Sequence, residues 1–121
     1  MNPSCTIPII ITKQQVIDFG NITGDNGSRH IVEGIVQAGL ITSLIYDWSV
    51  EAAKLYSFSE VPLNTVTTKL TSKYKNVLYC DDPVNITFTY YKPKLKTYRI
   101  DWVIHDDIEY CNGSWFLYNL S

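Results

Sequence analysis

The sequence is short of the residues that most often carry chemistry. Its 121 residues include two histidines and three cysteines. The cysteines (Cys5, Cys80 and Cys111) are too scattered to seed a zinc site. An odd cysteine count, with no charged-then-apolar leader at Met1–Cys5, argues against a disulfide-stapled secreted domain and gives a cytoplasmic location with reduced thiols as the expectation. Basic residues are scattered and the net charge is −2, which argues against nucleic acid or an anionic membrane as the main partner. The longest apolar segment, Ile31 to Val50, is interrupted by Glu33, Gln37 and Asp47 and makes a poor membrane span. No Ser-His-Asp or Cys-His arrangement is readable. Gly24-Asp25-Asn26-Gly27 has too few glycines for a phosphate loop and follows a helix. Sequons at Asn21, Asn85, Asn112 and Asn119 read as the chance product of an Asn- and Thr-rich chain.

What is present describes one globular domain over residues 1–121. Apolar residues make up 45% and charged residues 18%, enough for a small core. Ile7-Pro8-Ile9-Ile10-Ile11 reads as a short strand or extended lead-in. Thr12 and Gln15 then form a capping box, which predicts a helix from about Lys13 to Phe19 with Gly20 as its left-handed C-terminal cap. Residues Asn21 to Arg29 are turn-rich. A second helix is expected to begin near Val32 or Glu33 and end near Lys54-Leu55. Its stripe Ile35, Ala38, Ile41, Ile45, Trp48 and Ala52 is widened by Val36, Leu40 and Leu44 to nearly the whole circumference, so other structure should wrap it. Asp47 belongs on its exposed side.

The second half alternates with period two around Val66–Leu70, Val84–Tyr90 and Tyr98–Ile104, and a last apolar run covers Trp115–Leu120. These are four strands, antiparallel because the links are short. Turns are expected at Asp81-Asp82-Pro83 and at Cys111-Asn112-Gly113. His105 reads as an exposed strand-end residue with no task. Trp48 and Trp102 read as core. One sheet must cover one apolar helix, and the economical solution is an α+β hotdog: a curved antiparallel sheet wrapped around one long central helix. A single unit leaves a sheet edge open, so a homodimer or larger assembly is expected.

Gly24-Asp25-Asn26-Gly27-Ser28-Arg29-His30 holds a carboxylate and an imidazole five residues apart, just before the apolar helix pattern. An acid and a base beside a helix N-terminus can work on a carbonyl. Read alone, Asp25 could equally be a turn residue, His30 a surface residue and Glu33 a partner for the helix dipole.

The run Ile11-Thr12-Lys13, Asp18-Phe19, Ile22-Thr23-Gly24-Asp25 and His30 resembles the start of a MaoC-like hotdog domain, the family of (R)-specific enoyl-CoA hydratases and acyl dehydratases. Ile31-Val32-Glu33-Gly34-Ile35-Val36 is similar to the opening of that family's central helix. The resemblance implies an acyl-thioester hydratase or dehydratase that needs no metal and no cofactor. Asp25 and His30 would hold and activate a water at the double bond of a 2-enoyl thioester. The backbone N–H of Gly34 would donate to the thioester oxygen, and Asn26 and Glu33 are further substrate-binding candidates. The partner would be an acyl-CoA or an acyl carrier protein thioester. Gly27 and Ser28 replace the family's Asn and Pro, and Glu33 replaces its His before the helix glycine. His30 stands only four residues before Gly34, where the family has a longer link. Either His30 is the motif histidine with a deletion after it, or residues Ser28 to Gly34 all belong to the helix entry. Two other readings stay open: a thioesterase in which Asp25 or Glu33 activates water, and a non-catalytic acyl-binding or assembly subunit.

Overall fold

A computed structural model of the chain describes residues 2–23, 31–32, 41, 44–52 and 65–120. In chain order these give strand β1 (Ser4–Ile9), helix α1 (Lys13–Thr23), strand β2 (Ile31–Val32), a helical segment at 44–52, and strands β3 (Thr65–Tyr74), β4 (Leu78–Tyr79), β5 (Val84–Lys94), β6 (Thr97–His105) and β7 (Glu109–Asn119). Five strands form one antiparallel sheet in the order β1-β5-β6-β7-β3, and β2 pairs with β4 in a separate ribbon.

The period-two pattern sets the sheet's buried face. Cys5, Ile7 and Ile9 of β1 lie beside Val84, Ile86, Phe88 and Tyr90 of β5. Ile100, Trp102 and Ile104 of β6 follow, then Cys111, Trp115 and Leu117 of β7. Ile45, Trp48 and Ala52 of the helical segment, with Ile41, join these residues in one core. Each large apolar side chain so covered contributes about 1.5–3 kcal/mol relative to exposure. Ser49 is also buried there, and its hydroxyl donates to the Tyr46 carbonyl at 2.7 Å.

Several expectations are corrected. Helix α1 runs through Gly20 to Thr23, so Gly20 does not cap it. Val32 does not start a helix: Ile31 and Val32 pair with Tyr79 and Leu78 as strands. These β-branched residues gain more from a cross-strand partner than from helical backbone. Asp47 lies on the exposed side of the second helix as expected, but Tyr46 and Glu51 are exposed with it, so the apolar face of the described part is narrower than expected. Its expected end near Lys54-Leu55 lies outside the described residues. Cys111-Asn112-Gly113 is no turn but runs inside β7, paired on both sides. The reversal between β6 and β7 is made by Asp106, whose carboxylate accepts the Ile108 N–H at 3.1 Å. His105 is half-buried rather than idle: its Nε2 lies 2.7 Å from the Thr87 hydroxyl, which in turn lies 2.7 Å from that of Thr6.

Two surface features make predictions. Leu95, at the tip of the β5–β6 hairpin, is 99% exposed with φ 59°. A branched side chain in the left-handed region costs about 1–2 kcal/mol. Leu95→Asn keeps the turn and tolerates that φ, so it should raise thermal stability by about 1 kcal/mol, read as a higher Tm. On the outer face, Asp101 accepts two hydrogen bonds from Arg99 at 3.0 Å and one from the Ser114 hydroxyl at 2.7 Å. Partial burial works against its charge, but the bonds from Arg99, Ser114 and Tyr91 outweigh it and hold the carboxyl below its ordinary value. Its contribution is therefore present above the unfolded-state pKa of about 3.9 and is lost as pH falls through the lower folded value. Asp101→Ala should cost about 1 kcal/mol at pH 7, solvent screening allowed for. Urea titrations at pH 7 and pH 2 should show that difference shrinking in acid.

Candidate active site

The seven residues from Gly24 to His30 are bracketed by described elements that share one anchor. On the near side, α1 is fixed at its start. The Thr12 N–H donates to Gln15 Oε1 at 2.8 Å, and the Gln15 N–H donates to Thr12 Oγ1 at 3.1 Å. This is the reciprocal capping box expected from sequence. Asp81 completes it from outside the helix. Its carboxylate accepts the Lys13 N–H at 3.0 Å, and its own N–H donates to the Ile11 carbonyl at 2.8 Å. Asp81 adopts φ 69° to make both contacts, a conformation Asp tolerates better than most residues. A carboxylate on the first N–H groups of a helix also opposes the helix dipole favourably. Ile11 and Val16 are buried, and Phe19 packs against the core.

On the far side, β2 follows His30 directly and pairs with β4. Leu78 of β4 is buried, and Cys80 and Asp81 come next in the chain. One short stretch, 78–81, therefore holds both the start of the helix that leads into the motif and the strand that leads out of it. Asp25, Asn26, His30, Glu33 and Gly34 themselves lie outside the described residues.

Among the described residues, no three His, Cys, Asp or Glu side chains gather as a metal site, and no helix is long and apolar enough to cross a membrane. The three cysteines form no disulfide and are buried. Burial pushes the Cys111 thiol up to about 12, with the nearby Glu109 charge adding to it. It is a poor nucleophile at neutral pH.

No family model matches the sequence, and no curated protein matches it either. Solved structures do match in shape. The (R)-hydratase from A. caviae involved in PHA biosynthesis superposes with a TM-score of 0.69 at 11% identity, over 98% of this chain and 95% of that one. The HadBC (3R)-hydroxyacyl-ACP dehydratase complex from Mycobacterium tuberculosis gives 0.67 at 9% identity, over 96% and 95%. A hypothetical thioesterase protein with coenzyme A from Streptococcus pneumoniae gives 0.64 at 14% identity, over 95% and 77%. The chain has the hotdog fold. In this hotdog, the sheet's inner face and the helical segment 44–52 are the frame, and α1 with β2 flanks the candidate motif.

Trp102 and Tyr74 were not singled out for chemistry by the sequence beyond a core role for Trp102. The Trp102 Nε1–H and the Tyr74 hydroxyl are both buried without a hydrogen-bond partner. Strand alternation marks both as inward-facing, but nothing in a strand pattern tells whether a buried donor has found an acceptor.

Proposed function

We propose that this hotdog protein adds water to, or removes it from, acyl thioesters of the 2-enoyl and 3-hydroxyacyl class. Asp25 and His30 act on the water, and the Gly34 N–H stabilises the negative charge that develops on the thioester oxygen. In this reading Asn26 and Glu33 are further substrate-binding residues. The observation that carries this reading is the placement of Gly24–His30 between α1 and β2, two elements tied to the single stretch 78–81. The likeness to (R)-hydratase and dehydratase structures supports it. The carrier is coenzyme A or an acyl carrier protein.

A second reading, hydrolysis of the thioester with Asp25 or Glu33 activating water, is favoured by the thioesterase likenesses. The test is one assay with two readouts. Crotonyl-CoA is offered to the protein, and loss of the conjugated double bond is followed alongside release of free thiol. Hydration without thiol supports the proposal. Thiol release supports the thioesterase. Neither, with acyl-CoA binding retained, points to the non-catalytic subunit.

Strand β3 supports a homodimer or larger assembly. It is ten residues long and mostly exposed, and among the described residues β7 is its one partner in the sheet. A long edge strand is an open template for pairing, which another chain can cover.

A further inference from the structure

The sheet's inner face carries two donors with nothing to donate to. Trp102 is 1% exposed, and its Nε1–H has no acceptor. The Tyr74 hydroxyl is equally enclosed and unpartnered. Ser72 bears on the phenol but makes no hydrogen bond of sound geometry with it, and burial keeps the phenol protonated. Elsewhere the sheet supplies partners: the other inward indole on these strands, Trp115, donates Nε1–H to the Thr67 hydroxyl at 2.9 Å. A buried donor left unmade costs about 1–3 kcal/mol, so two on one face of the sheet call for an explanation.

Register places both on one patch. Trp102 pairs with Gly113, which pairs with Ser72, and Tyr74 pairs with Cys111. The Trp102 atoms nearest Gly113 are Cζ2 and Cε2. Cε2 is bonded to Nε1, so the edge bearing the N–H lies over the Gly113 backbone, where no side chain intervenes. The next residue across the sheet, Ser72, is exposed. The patch therefore opens toward β3. Its neighbour along β7 is Trp115, with Tyr46 of the helical segment edge-on to it at 6.3 Å between ring centroids. Two buried donors beside a pair of aromatic rings fit one oxygen acceptor on an apolar ligand.

We propose that this patch is a subsite for an oxygen carried along the acyl chain. The substrate class is an oxygenated acyl thioester, with a hydroxyl or carbonyl received by Trp102 Nε1–H and Tyr74 Oη–H. The inference rests on the acyl-thioester reading and adds the chemistry of the acyl group to it. A site built to hydrogen-bond an oxygen rejects the analogue lacking it, because its donors then go unpaired.

The test is calorimetric binding of hexanoyl-CoA against 4-, 5- and 6-hydroxyhexanoyl-CoA, with wild type, Trp102→Phe and Tyr74→Phe. At least one hydroxylated chain should bind wild type about 10-fold tighter than hexanoyl-CoA, the effect of roughly one neutral hydrogen bond. That preference should vanish in Trp102→Phe and weaken in Tyr74→Phe. The Trp102 indole N–H resonance should shift with the preferred chain and not with hexanoyl-CoA, a readout that survives if Trp102→Phe does not fold. Equal binding of all four chains by wild type, as when an internal water holds both donors, overturns the proposal. So does a preference that persists in Trp102→Phe. Crotonyl-CoA hydration is scored separately. A preference without hydration defeats the hydratase reading alone, and hydration without a preference defeats this one alone.

Discussion

Gly113→Ala should destabilise the protein by ~3 kcal/mol or more, the upper range of overpacking effects. A Cβ built on Gly113 meets the Thr71 carbonyl oxygen at 1.9 Å, and Trp102 Cζ2 and Cε2 at 2.5 and 2.7 Å. The indole could tilt, but it is wedged among Phe88, Ile100 and Ile104 in the core. The carbonyl belongs to the β3 backbone and cannot move without loosening the β3–β7 ladder. The glycine in mid-strand is therefore a site of close approach, where an aromatic ring from the next strand occupies the space a side chain would need. Urea denaturation gives the measurement. Shrinking the ring, as in Trp102→Leu, should rescue little of the loss, because the clash with the backbone oxygen remains. A cost below about 1 kcal/mol would show that the two strands can separate at this point.

Asp25→Asn should lower crotonyl-CoA hydration by about 10²- to 10⁴-fold, the range for losing a positioned acid–base group. The amide keeps the shape of the carboxylate but cannot take a proton. Stability should change little, because the substitution keeps the size and shape of the side chain. His30→Ala should give a loss of similar size if the two groups serve one water, and the double variant should then be little worse than either single one. A wild-type rate equal to the blank would end the hydratase reading. Full activity in His30→Ala with loss in Asp25→Asn would instead favour the alignment in which residues 28–34 are helix entry. It would leave the carboxylate to act alone.

Much of the frame was legible because the sequence repeats one physical rule many times. Ile86, Phe88 and Tyr90, or Ile100, Trp102 and Ile104, alternate over enough residues that no other backbone period fits. The Thr12–Gln15 box was legible because its chemistry is local. The errors fall where a distant partner decides. Gly20 looks like a helix end, but α1 continues past it to Thr23. Gly113 looks like a turn until Trp102 is seen lying over it. Val32 looks like a helix start until Leu78 pairs with it. Gly24-Asp25 and His30 stand out by residue identity alone. The anchoring of the α1 start by Asp81 does not, because 68 residues separate that carboxylate from the Lys13 amide it holds.

The pairing of β1 with β5 has a further consequence, one of timing. Thr6 and Thr87 meet across that ladder at a separation of 81 residues. A growing chain emerges N-terminus first, at about 5–20 residues per second, so β1 waits roughly 4–16 s before its partner strand exists. Through that interval Cys5, Ile7 and Ile9 have no sheet to join, and α1 lacks the Asp81 carboxylate that fixes its start. The hairpins β5–β6 and β6–β7 need only neighbours in sequence and can close at once. Folding on the ribosome should therefore run backwards relative to synthesis. The last strands would assemble first, and the first strand, made earliest, would dock onto a sheet already built.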